Sequence, residues 1–165
     1  MSFIFDAGIW EAASYVVTVI AFPFAIFLFL YEQRKERDNE DEAAYQSLQD
    51  AYNDFLKIVL DNPDLQLRST IRAPDLTPEQ RERQLIIFEM LISLFERAYI
   101  VAYQEDMSGV AQRRWNSWDD YMREWCRRED FNALLPHLLS GEDPDFSAYI
   151  QAIAKQERQQ QAIQA

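Results

Sequence analysis

Apolar and polar positions along the chain follow three successive patterns. From Ala12 to Tyr31 the sequence AASYVVTVIAFPFAIFLFLY runs for 20 residues without a charge. As an α-helix this segment is about 30 Å long, the thickness of a bilayer's hydrocarbon core. Its apolar residues cover nearly the whole circumference and leave no polar stripe, so the pattern predicts a transmembrane helix and not a buried core helix. From Glu32 to Glu42 nearly every position is charged or polar, which reads as a solvated juxtamembrane stalk. From Ala43 onward the apolar positions recur at spacings of three and four. Tyr45, Leu48, Tyr52, Phe55 and Val59 form one stripe on a helix that ends at Asn62-Pro63. The segment from Asp61 to Gln80 holds prolines 63, 74 and 78 and reads as a partly extended connection.

Thr77-Pro78-Glu79-Gln80 then offers an N-cap hydroxyl, a proline at the first helical position and a glutamine three residues after the cap. The helix it opens carries Leu85, Phe88, Ile92, Phe95, Tyr99 and Ala102 and is expected to run to about Met107, with Ser108-Gly109 as its stop. Trp115, Trp118, Met122 and Trp125 predict the next helix, with Ser117 and Asp120 as an internal start signal. Leu134, Leu135, Leu138 and Leu139 predict a short leucine-rich turn around Pro136. Phe146, Tyr149, Ile150 and Ile153 predict a last helix after Pro144 that fades into a Gln-rich tail at 157–165. No strand-like alternation occurs. The expected fold is all-α: one N-terminal transmembrane helix followed by a cytoplasmic helical bundle of about four or five helices at 43–156.

Charge fixes the expected orientation. Arg34, Lys35 and Arg37 directly follow the span, and no Lys or Arg precedes it. This places residues 1–11 outside as a short extracytoplasmic N-terminus and the bundle in the cytoplasm, at a cell's inner (plasma) membrane. Trp10, Tyr15 and Tyr31 lie where aromatic rings prefer the headgroup level. A cleaved signal peptide fits less well, because Asp6 and Glu11 precede the apolar run and Tyr31-Glu32-Gln33-Arg34 follow it. Within the span Ser14, Thr18, Ala21 and Ala25 share one helix face, a small-residue surface through which copies of the chain could associate. Pro23 removes one backbone hydrogen bond there and predicts a local kink.

Composition narrows the chemistry. The 165 residues hold 28 acids, 16 Lys and Arg, one His, one Cys and 3 Gly, for a formal charge of −12. All 16 basic residues and 26 of the acids follow residue 31, so the bundle side carries −10. Such an excess of acid argues against general attraction to nucleic acid or anionic lipid. One Cys and one His exclude an internal disulfide, a Cys/His zinc cluster and any triad needing two such residues. No Gly-rich phosphate loop is present. His137, in LLPHLL, reads as a solvent-facing or hydrogen-bonded imidazole, and Cys126 as a buried thiol despite Arg123 and Arg127 nearby. The run DNEDE at 38–42 lacks the glycine and spaced ligands of a calcium loop. The chain is expected to be neither an enzyme nor a holder of cofactor or metal.

One stretch opposes the overall sign. Arg113, Arg114, Arg123, Arg127 and Arg128 interleave with Trp115, Trp118, Tyr121 and Trp125. Such a patch can stack and pair with an anionic ligand or meet an acidic partner, for which a neighbouring subunit's stalk is a candidate. The strict three-four spacing of the tryptophans equally describes a core stripe flanked by solvated arginines, and this is the favoured reading.

YEQRKERDNEDEAAY directly after an N-terminal span, then YNDFLKIVLDNPDL, LFERAY and WNSWDDYM, resemble uncharacterised bacterial single-pass membrane proteins of the DUF4760 type. More coarsely, the plan is similar to that of the pore-forming membrane accessory protein of type VI-B CRISPR systems. The helical HEPN ribonucleases set their Arg and His closer together than the eight residues that separate Arg128 from His137, so their motif is not met. The architectural likeness implies a homo-oligomer whose spans and bundles form a ring or pore, a membrane effector such as serves antiviral defence. The alternative expectation is a monomeric or dimeric membrane-tethered adaptor presenting its bundle to a cytoplasmic protein partner.

Overall fold

A computed structural model describes the backbone of residues 7–69, 71 and 73–164, and the side chains from residue 22 onward except those at 38, 70, 72, 164 and 165. Its elements are α1 (Ala7–Asp61), a 3₁₀ turn (Pro63–Leu65), α2 (Pro78–Ala102), α3 (Gly109–Cys126), α4 (Glu129–Leu138) and α5 (Pro144–Gln164). The fold is all-helical, with no strand among the described residues. The chain divides into two compact units, Met1–Ala43 and Ala44–Ala165.

The first unit is helical from Ala7, and α1 continues through Pro23. Phe22, Phe24, Phe27 and Phe29 are exposed, Phe22 at 67% and Phe27 at 64%. The described charged side chains that follow, to Glu42, are exposed as well, apart from half-buried Glu42 itself. Among the described residues no helix is long and apolar enough to cross a membrane. The first half of the predicted span, 12–21, contributes no described side chains, so Ser14, Thr18 and Ala21 of the small-residue face lie outside the described set, and Ala25 is exposed.

The second unit is a bundle built around aromatic rings. Leu48, Tyr52, Phe55 and Val59 are buried, as their spacing predicts, with Tyr45 packed against the same core. The chain leaves α1 where proline forbids continuation: Pro63 lacks an N–H and disfavours helical geometry at Asn62. The Asn62 side-chain amide donates to the Ile58 carbonyl at 2.8 Å and satisfies one of the helix's open acceptors. At the start of α2 the capping box is complete: Thr77 Oγ1 accepts from the Gln80 N–H, and the Gln80 side chain accepts from the Thr77 N–H. Phe88, Leu91, Ile92, Phe95 and Ala98 form its buried face.

Helix α3 packs on α2, α4 and α5, and its rings also meet the end of α1. Tyr121 stacks on Tyr52 at 4.3 Å, Trp118 meets Tyr52 edge-on at 5.8 Å, and Trp125 meets Phe55 edge-on at 5.6 Å. Edge-on and stacked contacts of this kind add about 0.5–1.5 kcal/mol per pair to the area they bury. The Trp118 ring N–H is buried without a hydrogen-bond partner, set among these aromatic faces.

Three boundaries differ from the sequence expectation. Helix α2 stops at Ala102, five residues early, because Tyr103 turns extended (φ −79°, ψ 137°) and lays its ring on Tyr99 at 4.6 Å and against Trp115 at 5.1 Å. Ser108 and Gly109 therefore open α3 instead of closing α2, and Ser117 and Asp120 lie inside α3 rather than at its start. Gly109 takes the left-handed φ of +59° that the entry requires. The leucine-rich turn is a ten-residue helix, α4, whose Asn132 amide donates to the Cys126 carbonyl at 2.9 Å. The Gln-rich tail continues α5 to Gln164, and its first residue, Glu157, is only 2% exposed because two arginines close over it.

Candidate functional site

The arginine-tryptophan stretch comes apart into separate roles. Trp115, Trp118 and Trp125 are buried in the core, as the periodicity favoured. Arg123 bridges Asp119 at 2.6 Å and Glu157 at 3.2 Å, and Arg127 holds the other Glu157 oxygen at 2.7 Å. Asp119 also accepts from the Tyr149 hydroxyl at 2.6 Å, and that oxygen accepts from the Trp115 ring N–H at 3.0 Å. Burial, with the Asp119 bond, raises the Tyr149 pKa well above the usual phenol value. Arg114 lies over the Tyr45 ring, 5.0 Å from its centroid, and Arg113 is exposed. These arginines do not converge on one open surface. Most of their charge is matched within the bundle.

Arg128 departs furthest from a solvated arginine: it is 2% exposed. Its Nη1 donates to the carbonyls of Gln66 at 2.5 Å and Ser69 at 2.7 Å, and Nη2 donates to Asp130 Oδ2 at 2.8 Å. Its Nε lies 2.5 Å from Asp130 Oδ1 as an ion pair, outside aligned hydrogen-bond geometry. One guanidinium thus ties the α1–α2 connection to the first turn of α4. Asp130 Oδ1 also accepts the Phe131 N–H, and Oδ2 accepts from the Gln84 amide at 2.9 Å. Every charge and most polar atoms in this buried cluster have partners, the condition on which burying ions is tolerable.

Beside the cluster lies a pocket of about 360 Å³. Ala73, Leu76, Leu85 and Leu134 supply apolar wall, Gln84 and Asp130 the buried polar side, and Arg81 and Ala133 are exposed members of the lining. Sequence reasoning missed this site. Its parts come from the α1–α2 connection, α2 and α4, and nothing in the spacing of any one segment announces their meeting. A smaller and more open polar hollow, about 290 Å³, lies along Tyr103, Trp115, Asp119, Arg123 and Tyr149, whose polar groups are largely bonded to one another.

Of the single reactive side chains, Cys126 is buried and its thiol is pushed up to about 12 by desolvation, so it is inert at neutral pH. His137 is exposed in the last turn of α4. Where α2 approaches the start of α5, Glu96 Oε1 accepts the Asp143 N–H at 2.5 Å, and the Glu142 carboxyl is raised to about 7 by desolvation and by facing Glu96. Among the described residues no group of three or more His, Cys, Asp or Glu could hold a metal ion. No known protein family, curated protein or solved structure matches the chain.

Proposed function

We propose that this chain is a membrane-anchored helical protein that works by assembly. In this reading residues 12–31 cross the bilayer once with the N-terminus outside, and Arg34, Lys35 and Arg37 hold the bundle on the cytoplasmic side. Copies of the chain meet through Ser14, Thr18, Ala21 and Ala25 and gather their bundles into a ring that acts on the membrane. The observation that carries the reading is the exposed belt of Phe22, Phe24, Phe27 and Phe29 ending on a charged collar. A continuous apolar surface of that size calls for an apolar neighbour, either lipid or protein. Because the apolar run extends unbroken and uncharged back to Ala12, lipid is the better match.

Alkaline extraction of membranes, followed by crosslinking and native mass measurement in mild detergent, tests both halves. The expected outcome is a protein retained with the membrane and a single oligomer larger than a dimer. Release by alkali would end the anchor reading. Retention with monomer alone would end the assembly reading and favour the adaptor. One observation favours that second reading: Ile86, Met90 and Ile100 are exposed along α2, apolar surface that a cytoplasmic protein partner could cover.

A further inference from the structure

We infer that the outward face of α2 pairs with the same face of a second copy of this chain, the two helices antiparallel and related by a two-fold axis at Ser93. On α2 the exposed residues Ile86, Met90, Ser93, Arg97 and Ile100 follow one another at steps of four, three, four and three. That is the spacing of a seam along which a second helix packs. The bundle itself is packed on the other side of α2, through Phe88, Leu91, Ile92, Phe95 and Ala98. Outward positions of α3, such as Arg113, Asn116, Asp120 and Glu124, and of α5, such as Gln151, Lys155 and Arg158, are polar. Exposed Ile86, Met90, Ile100 and Val101 therefore set α2 apart from those faces and call for an apolar cover.

Charge identifies the cover. Two-fold pairing brings positions equally far from Ser93 to the same level, so Ile86 of one copy meets Ile100 of the other, and Glu89 meets Arg97, each contact made twice. Glu89 and Arg97 are both exposed, and neither has an oppositely charged residue three or four positions away on α2. Ser93 has the smallest side chain on the seam and stands where the two axes are nearest, which lets the backbones approach. A register shifted to set Met90 against Ser93 would put Arg97 on Ile86. A parallel pair in register would bring Glu89 to Glu89 and Arg97 to Arg97. The charges thus select the antiparallel pairing centred on Ser93. Such self-complementarity is what an isologous contact requires of a surface, and a foreign partner does not require it. Because an isologous contact closes on itself, it joins copies in pairs and is separate from any head-to-tail contact that would build a ring.

The test uses the full-length protein in mild detergent. Ser93→Cys sets a thiol on the axis, and oxidation by copper–phenanthroline in air should link two chains through it. The parent should stay unlinked, because Cys126 is buried. Asp120→Cys, at an exposed position on α3, measures random collision and should link far more slowly. Adding Arg97→Glu to Ser93→Cys turns two attractions into two repulsions and should slow linking about tenfold. Adding Glu89→Arg as well restores opposite charges in the swapped sense and should recover the rate. All these positions are exposed, and unchanged thermal unfolding of each variant separates lost pairing from lost fold. Linking through Ser93→Cys no faster than through Asp120→Cys would overturn the inference and leave the α2 face to a foreign protein. So would a rate indifferent to Arg97→Glu, or one that Glu89→Arg fails to recover. The outcome is distinct from that of the assembly reading: an oligomer in native mass measurement without Ser93→Cys linking keeps assembly and ends this contact, whereas linked pairs with nothing larger keep this contact and end the ring.

Discussion

Phenylalanine has opposite roles in the two units. In the bundle Phe55, Phe88, Phe95, Phe131 and Phe146 are buried against other rings, whereas Phe22, Phe24, Phe27 and Phe29 of the first unit stand exposed along a single helix. Their helix propensities are identical, so the difference lies in company. A helix with one apolar stripe finds partners among α2 to α5 and becomes core, and a helix apolar all round needs an apolar medium. Hydrophobicity that supports the fold in one unit can serve as an address in the other.

A matched pair of truncations breaks or sharpens that contrast most directly. Phe95→Ala removes a fully buried ring and should cost the bundle about 3–5 kcal/mol. Denaturant unfolding followed by tryptophan fluorescence measures it, since Trp115, Trp118 and Trp125 all report from the core. Phe27→Ala should change the same unfolding curve by less than about 0.5 kcal/mol, because its ring is mostly exposed. If Phe27→Ala destabilised the bundle as much as Phe95→Ala, exposure would not distinguish the two rings as described.

The next contrast is between charge kept inside and charge left at the surface. Arg128→Met strips the partner from Asp130 and the donors from the Gln66 and Ser69 carbonyls, and should cost about 3 kcal/mol, near the low end for breaking a buried pair. The double variant Arg128→Met/Asp130→Leu should recover part of that loss by removing the stranded carboxylate, leaving the cost at the two carbonyls and Gln84. Arg113→Met, at an exposed position, should be near neutral. A single Arg128→Met as mild as Arg113→Met would show that the cluster does not hold the connection in place.

The reach of the sequence follows the same division. Periodicity is a local property, so the core faces of α1, α2, α3 and α5 were legible from spacing alone, and the Thr77–Gln80 capping box is contained in four adjacent residues. Arg128 was legible only as one arginine in a basic run. Its burial depends on Gln66 and Ser69, about sixty positions away, and on Gln84 acting through Asp130. The early stop of α2 was hidden for the same reason, since Tyr103 leaves the helix to reach Trp115 and Tyr149 on other elements. The pocket has no local signature at all. The small-residue face of the first helix remains a sequence reading, most of it outside the described side chains.

The smallest effect separates two kinds of acid pairing. Asp130 faces a guanidinium, whereas Glu142 faces Glu96, and burial together with that neighbour raises the Glu142 carboxyl from its ordinary 4.5 to about 7. Since the two carboxyls interact, the proton belongs to the pair. A raised folded-state pKa means that the folded chain holds a proton the unfolded chain has released, so the stabilisation is complete below about 4.5 and is lost as pH rises towards and through about 7. Solvent reaches Glu142, so the effect should stay below about 1 kcal/mol. Comparing the parent with Glu142→Gln in unfolding experiments between pH 5 and pH 8 isolates it, because the glutamine cannot titrate and still fills the same space. The parent should lose stability over that interval relative to the variant, the difference flattening above pH 8. Parallel profiles would mean that Glu142 and Glu96 do not share a proton in the folded chain, and that their approach is an ordinary solvated contact.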